Sequence, residues 1–192
     1  MHSVTDHTTT TIVKTIAADD TSAWDDYVGR CVSDPLYFRS DWDQPFRTYG
    51  LSVDRLAAVR DGAIVGALPM VHQRSLLFGK HMVSLPWFDC CGLLADDAES
   101  RQALLNEAVK LAAARGVDEI QLRHREPLDL SPYVRTDKVL MQLDLPANGG
   151  ELWDSFSPKV RNQIRKGQKA GLTVESGGRA LLDDFYQVYS TN

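Results

Sequence analysis

The sequence predicts a mixed α/β chain, of the α+β kind, on three observations. Two β-type runs, Asp54 to Arg60 and Ala63 to Val71, flank an Asp61-Gly62 pair, the dipeptide that favours a two-residue hairpin turn. Leu104, Leu105, Ala108, Leu111 and Ala112 recur at helical spacing between Ala98 and Arg115, with strand-like runs before and after. Ser157 to Gly171 carries helix start and stop signals at both ends. A central mixed, largely antiparallel sheet flanked by helices accounts for all three.

In chain order, residues 1–10 are polar and Thr-rich without an apolar core, so they are expected to be a disordered leader and not a signal peptide. Thr11 to Ile16 alternates like a strand. A helix capped by Asp20 or Thr21 runs to about Cys31, with Trp24, Tyr27, Val28 and Cys31 at helical spacing, and Asp34-Pro35 breaks it. Phe38, Trp42 and Phe46 recur every four residues. Ser40 is a possible cap there, but Pro45 removes a backbone donor, so a kink or a start nearer Asp43 is expected. After the hairpin, Gly79 marks a turn and His81 to Leu85 a further strand. Trp87 to Asp96 reads as a loop, Ala98 to Arg115 as a helix stopped by Gly116, and Glu119 to Arg123 as a short strand. A polar loop with Pro127 and Pro132 leads to an expected strand over Lys138 to Leu145, then a short segment from Gly150 to Phe156. Beyond the Ser157–Gly171 helix, a strand over Leu172 to Glu175, a Gly177-Gly178 turn and a final helix from Ala180 are expected.

The chain has 192 residues, 43% of them hydrophobic and 24% charged, which is ordinary for a globular protein. Its formal net charge is -5, which argues against wholesale coating of nucleic acid. No run of about 18 apolar residues exists to span a membrane. Cys31, Cys90 and Cys91 are odd in number, and neighbouring cysteines rarely bridge, so a cytoplasmic protein without disulfides is expected.

Against that acidic background one helix is basic. Lys159, Arg161, Arg165, Lys166 and Lys169 carry five positive charges, and no acid lies between Asp154 and Glu175; without those five the rest of the chain sums to about -10 (-5 - 5). Ser157 suits the N-cap, Pro158 the first helical position and Gly171 the position after the C-cap. At 100° per residue Val160, Ile164, Gly167 and Gly171 share one narrow face, with Arg161, Arg165 and Lys169 opposite.

Several stretches resemble the FemAB family of GNAT-fold aminoacyl and acyl transferases. They are Trp42 with Phe46 and Tyr49, Gly66-Ala67-Leu68-Pro69, Phe78-Gly79-Lys80, Val83-Ser84-Leu85-Pro86, Gly92-Leu93-Leu94-Ala95-Asp96, Gln121-Leu122-Arg123, and above all Lys159-Val160-Arg161-Asn162-Gln163-Ile164-Arg165-Lys166. The order and spacing of these stretches, from about Trp24 to Tyr189, carry the match. The nearest likeness is to the FemAB-related proteins of exosortase/PEP-CTERM exopolysaccharide systems. The resemblance implies two tandem GNAT-like domains: residues 11–171 would be the first and 172–192 the start of a second, the N-terminal half of a longer architecture. It also implies transfer of an acyl or aminoacyl group to an amine of a cell-envelope (peptidoglycan-type) or exopolysaccharide precursor. No resident cofactor is implied, and the donor is open between aminoacyl-tRNA and acyl-coenzyme A.

One departure bears on the donor. GNAT enzymes that use acetyl-coenzyme A hold its pyrophosphate on a glycine-rich loop at a helix N-terminus. The corresponding junction here, Phe88 to Asp97, has one glycine and three acids, so coenzyme A is not expected to bind this domain.

The candidate site residues follow. Arg161, Arg165 and Lys169 form a row suited to a phosphate-bearing substrate, a lipid-linked diphosphate or a tRNA backbone, because guanidinium forks grip such oxygens in pairs. The same row serves equally as a solvated face or a contact for the second half. Asp96 matches the aspartate of the family's Gly-Pro-aliphatic-x-Asp segment, with Leu93 in place of the proline, and could orient or deprotonate an attacking amine. Alternatively Asp96 or Asp97 caps the helix that follows. Arg123 ends a strand where such folds open their cleft. Trp42 and Trp87 are substrate platforms or core. His124 is a weak candidate base, His72 and His81 read as half-buried strand residues, and no metal spacing links a histidine to the cysteines. Two other functions fit the same residues: a non-catalytic scaffold domain in polysaccharide export, and an acetyl-coenzyme A-dependent GNAT N-acetyltransferase.

Overall fold

The Asp61-Gly62 turn seeds the sheet. Both residues take positive φ, 50° and 80°, a backbone twist that matches the right-handed twist of paired strands. In the computed structural model, which describes residues 10–32, 35–77, 79–125, 128, 134–135 and 138–191, this turn joins β2 (Ser52–Arg60) to β3 (Ala63–Ser75). The leader up to Thr9, Asp34 of the helix break, Phe78, Pro127 and Pro132 of the polar loop, and Asn192 lie outside the described residues. The chain forms two compact units, Met1–Leu140 and Met141–Asn192.

The first unit holds a six-stranded sheet. β1 (Ile12–Ile16), β2, β3 and β4 (Gly79–Val83) are antiparallel neighbours in that order, and β6 (Glu119–Gln121) lies parallel to β4. The parallel pair is joined through α3 (Ala98–Arg115), as a crossover connection requires. β5 (Leu94–Ala95) pairs with β3 beyond the end of β4.

Period-two alternation sorts the sheet residues to two faces. Leu56, Ala58, Leu68, Met70 and Met82 turn one way and pack with Leu104, Ala108 and Ala112 of α3. Ala57, Val59 and Ala67 turn the other way, onto Trp24, Tyr27 and Val28 of α1 (Ser22–Cys31). Phe46 of α2 (Asp43–Thr48) extends that second layer over Val71, Leu85 and Cys91. The mixed α+β expectation is met. α3 begins at an Asp97 cap and ends at Gly116 in the left-handed region (φ 60°), the stop that its sequence announces. Cys31, expected on the packed face of α1, is exposed instead.

Pro45 has the effect expected of it. Ser40–Trp42 is one 3-10 turn and the α-helix starts at Asp43. Ser40 caps nothing there; its N–H and hydroxyl both donate to the Asp25 carboxylate, at 2.8 and 2.6 Å, and tie the α1–α2 connection back to α1.

The second unit contains α4 (Gly149–Ser155), α5 (Pro158–Lys169) and α6 (Leu182–Thr191). α5 has the predicted ends. The Ser157 hydroxyl accepts the Val160 N–H at 3.4 Å. At the far end Gly171 (φ 80°) and Leu172 donate to Gln168 O and Gly167 O, the paired bonds of a Schellman cap. Two expected strands do not form: Lys138–Leu145 and Leu172–Glu175 are irregular. Alternation makes a strand only where a neighbouring edge supplies ladder hydrogen bonds, and neither run has one; Val139, Met141, Leu143, Leu172 and Val174 are all exposed. Leu182, Phe185 and Tyr189 of α6 are exposed.

Candidate functional site

The pairing along β3 is interrupted, with β4 on one stretch and β5 on another. After Val83 the chain leaves the sheet, and it returns at Leu94 to pair with Ala67 of the same β3 strand. The excursion between them, residues 84–93, holds two non-glycine residues in the left-handed region, Leu85 (φ 55°) and Trp87 (φ 73°). Such conformations cost on the order of 1–3 kcal/mol each and persist only where the surroundings impose them.

The surroundings do so from β6 and its continuation. The Ser84 N–H donates to Gln121 O (2.9 Å) and the Cys91 N–H to Arg123 O (2.9 Å). The Arg123 N–H donates to the Ser84 hydroxyl (2.9 Å), and its guanidinium to Phe88 O (2.8 Å) and Gln121 Oε1 (3.3 Å). Arg123 therefore clamps both ends of the excursion and keeps further N–H groups for a ligand. The Leu93 N–H donates to His124 Nε2 at 3.2 Å. With Nε2 as acceptor the ring is neutral with its proton on Nδ1, and burial, with the charge of Arg101, pushes its pKa down to about 4. The candidate base is thus a neutral prop under the loop.

Aromatic rings form the floor. Phe88 lies 4.5 Å from Trp42 and 5.1 Å from Tyr37 between ring centroids. The Trp42 indole donates to Leu36 O (2.7 Å), so its polar edge is committed to the fold. Trp87 behaves differently. It stacks on the buried Phe46 (5.2 Å, 27°), meets Tyr49 edge-on (5.3 Å, 73°), and remains 59% exposed. A cleft of about 390 Å³ opens beside it, lined also by Tyr49, Gln73, Arg74 and His81.

Asp96 and Asp97 divide their labour. Asp97 is the cap of α3: its carboxylate accepts the Ser100 N–H (2.8 Å) and pairs with Arg60 (2.7 Å). Those bonds hold it well below the usual carboxylate range. Asp96, exposed one residue earlier, is released from that duty and accepts the Tyr27 hydroxyl at 3.0 Å. Burial raises the Tyr27 pKa, and hydrogen bonds from the Cys31 and Asp96 sides raise it further, so the phenol stays a donor. A carboxylate steadied on one oxygen can take a proton on the other. The N-terminus of α3, closed by Asp97 and Arg60, offers no open anion cradle.

The structure thus groups Trp42, Trp87 and Arg123 around one loop, and sets Asp96 at the return of that loop to the sheet. Arg161, Arg165 and Lys169 belong to the second unit. Arg165 lies over the Trp153 ring at 5.2 Å, and Arg161 donates to Asp154 O at 3.4 Å. His72, read as a half-buried strand residue, bonds the Asp54 carboxylate (2.6 Å), which Arg115 also grips. Cys91 is buried, and burial raises its thiol pKa; Cys90 is half-buried. Sequence reasoning missed Tyr27 as the partner of Asp96. Its helical spacing with Trp24 and Val28 marks only a core residue, and nothing local shows that its hydroxyl reaches past the core edge.

No family model matches the chain, and no curated protein matches it. Among solved structures it is similar to an acetyltransferase of Trypanosoma brucei (15% identity, 71% of this chain and 100% of that one, TM-score 0.43). It is similar also to an aminoglycoside acetyltransferase from an uncultured soil metagenomic sample (16%, 72% and 99%, TM-score 0.48). A third is a ribosomal-protein-alanine N-acetyltransferase of Brucella melitensis biovar Abortus (12%, 69% and 99%, TM-score 0.47).

Proposed function

We propose that this chain belongs to a FemAB-like acyl or aminoacyl transferase that modifies an amine of a cell-envelope or exopolysaccharide precursor. The observation that carries the reading is the separation of Asp96 from Asp97. One carboxylate caps α3 and is paired with Arg60, while its neighbour, held by Tyr27, is left exposed where the chain has rejoined β3. In the transfer, the acceptor nitrogen attacks the donor's ester carbonyl. The C–N bond forms, the ester C–O bond breaks, Asp96 takes the proton from nitrogen, and that proton leaves on the departing hydroxyl. Arg123 fixes the loop whose chain leads back to Asp96, and the Arg161/Arg165/Lys169 row of the other unit is a separate candidate for a phosphate-bearing ligand.

The closed N-terminus of α3 favours an aminoacyl-tRNA donor over coenzyme A. The test is release of amino acid from charged tRNA against release of acyl groups from acyl-coenzyme A, each with an amine acceptor. Turnover of the first donor supports the proposal. Turnover of acyl-coenzyme A alone replaces it with an acetyl-coenzyme A-dependent N-acetyltransferase, and turnover of neither with the scaffold reading.

A further inference from the structure

The polar edge of Trp87 has no duty in the fold. The indole N–H groups of Trp24 and Trp42 donate to Phe38 O and Leu36 O, each at 2.7 Å. The Trp87 indole N–H, the Tyr49 hydroxyl and the Gln73 side-chain amide have no hydrogen-bond partner among the described residues. All three residues line the cleft of about 390 Å³. Trp87 is also held in the left-handed region (φ 73°), at a cost on the order of 1–3 kcal/mol. The ring so placed fills no core: it rests on Phe46, and 59% of the residue stays exposed. A strained position that gains so little burial points to a ligand contact.

The chemistry of the cleft narrows the ligand. Gln73 and His81, paired across β3 and β4, bring an amide and an imidazole to it, and Tyr49 and Trp87 bring two aromatic rings. The charges around it balance. Arg74 and Lys80 stand against Asp118, which accepts the Lys80 N–H at 3.0 Å, and Glu119, 3.5 Å from His81. Neither an anion nor a cation is favoured there. The volume lies near the lower end of the range of about 300–1,000 Å³ for ligand clefts, which suits one small ring.

We propose that this cleft binds a neutral sugar ring, a pyranose unit of a glycan. The C–H face of the ring stacks on Trp87, whose negative π face attracts polarised C–H groups. Hydroxyls at the ring edge, each both donor and acceptor, bond the Gln73 amide and the Tyr49 hydroxyl. Phe46 covers one indole face, so a flat base would stack on one side alone, whereas a pyranose needs only one face because its hydroxyls radiate sideways. The site is separate from the Asp96 carboxylate. Val65 O of β3 accepts the Asp96 N–H (3.0 Å), and Gln73 lies eight residues farther along that strand (73 - 65), roughly 26 Å at full extension. The inference therefore does not rest on the transfer reading, and its test uses no transfer assay.

The test is saturation-transfer difference NMR on the whole chain with methyl glucoside, methyl galactoside, methyl mannoside and N-acetylglucosamine, followed by titration of the best of these. At least one pyranoside takes up saturation, most strongly at the C–H protons of one ring face. Trp87→Ala weakens its binding on the order of tenfold, and Gln73→Ala roughly three- to tenfold, with far-UV circular dichroism unchanged. Tyr49→Ala, at a residue 72% exposed, weakens binding while leaving the Trp87–Phe46 stack in place. Four results overturn the proposal: no transfer to any of the four sugars; affinity that survives loss of Trp87 or of Gln73 and Tyr49 together; adenosine bound more tightly than any pyranoside; or glucose 6-phosphate bound more tightly than glucose, which would mark an anion site.

Discussion

The imidazole of His124 lies so close over Gly92 that a β-carbon on Gly92 would sit 2.3 Å from its Cε1 atom. The same ring accepts the Leu93 N–H, so one side chain fixes both the path of the loop and the point where it rejoins the sheet. Gly92→Ala is expected to cost about 1–3 kcal/mol by overpacking, and Gly92→Ala with His124→Ala should recover part of that loss in thermal melts. The pH dependence has a definite sign. The folded ring resists protonation down to about pH 4, while the unfolded ring protonates near its ordinary value of 6.5. The His124 contribution is therefore complete above about pH 6.5 and is lost as pH falls towards 4, because the unfolded chain then binds more protons. Melting temperature followed over that range should fall less steeply in His124→Leu than in wild type.

Arg55 and Asp43 form a buried ion pair between β2 and α2, and Arg55 also donates to Ser40 O at 2.8 Å. Asp43 Oδ1 and Arg55 Nε have no partner among the described residues. Removing one member leaves a buried uncompensated charge, so Arg55→Leu should cost about 3–5 kcal/mol in denaturant unfolding. Replacing both, with Asp43→Leu added, should restore much of it, since an apolar pair avoids the desolvation that the ion pair carries.

On α5, Arg161→Ala with Arg165→Ala is expected to weaken binding of a diphosphate ligand by roughly tenfold or more, while far-UV circular dichroism stays unchanged. Arg165 lies over Trp153, so ligand binding that draws the guanidinium away should also change Trp153 fluorescence. Unaltered affinity in the double variant returns the row to a solvated helix face.

How much of this was legible beforehand depended on the range of the interactions. The hairpin, α3 and α5 announce themselves because their signals are local: Asp61-Gly62 sets a turn, Asp97 and Gly116 bracket one helix, Ser157 and Gly171 another. Lys138–Leu145 and Leu172–Glu175 carry the same alternation as real strands but lack a partner edge, which no local pattern reports. The layout of the candidate site was half legible. Asp96, Arg123, Trp42 and Trp87 could be singled out by residue type and position. The left-handed backbone at Leu85 and Trp87 could not, because it is imposed by Arg123 and Gln121 from across the sheet. Tyr27 was hidden for the same reason, 69 residues from the carboxylate it holds.

The central claim is that the Asp96 carboxylate, freed by the Asp97 cap and steadied by Tyr27, serves the acceptor amine. The most direct measurement is the rate of aminoacyl transfer from charged tRNA to an amine acceptor by wild type, Asp96→Asn and Tyr27→Phe, with melting temperatures taken alongside. Asp96→Asn should lower the maximal rate about 10²–10⁴-fold with little change in acceptor KM. Tyr27→Phe should give a smaller loss and a shifted pH–rate profile. Full activity in Asp96→Asn, with the protein folded, would contradict the account.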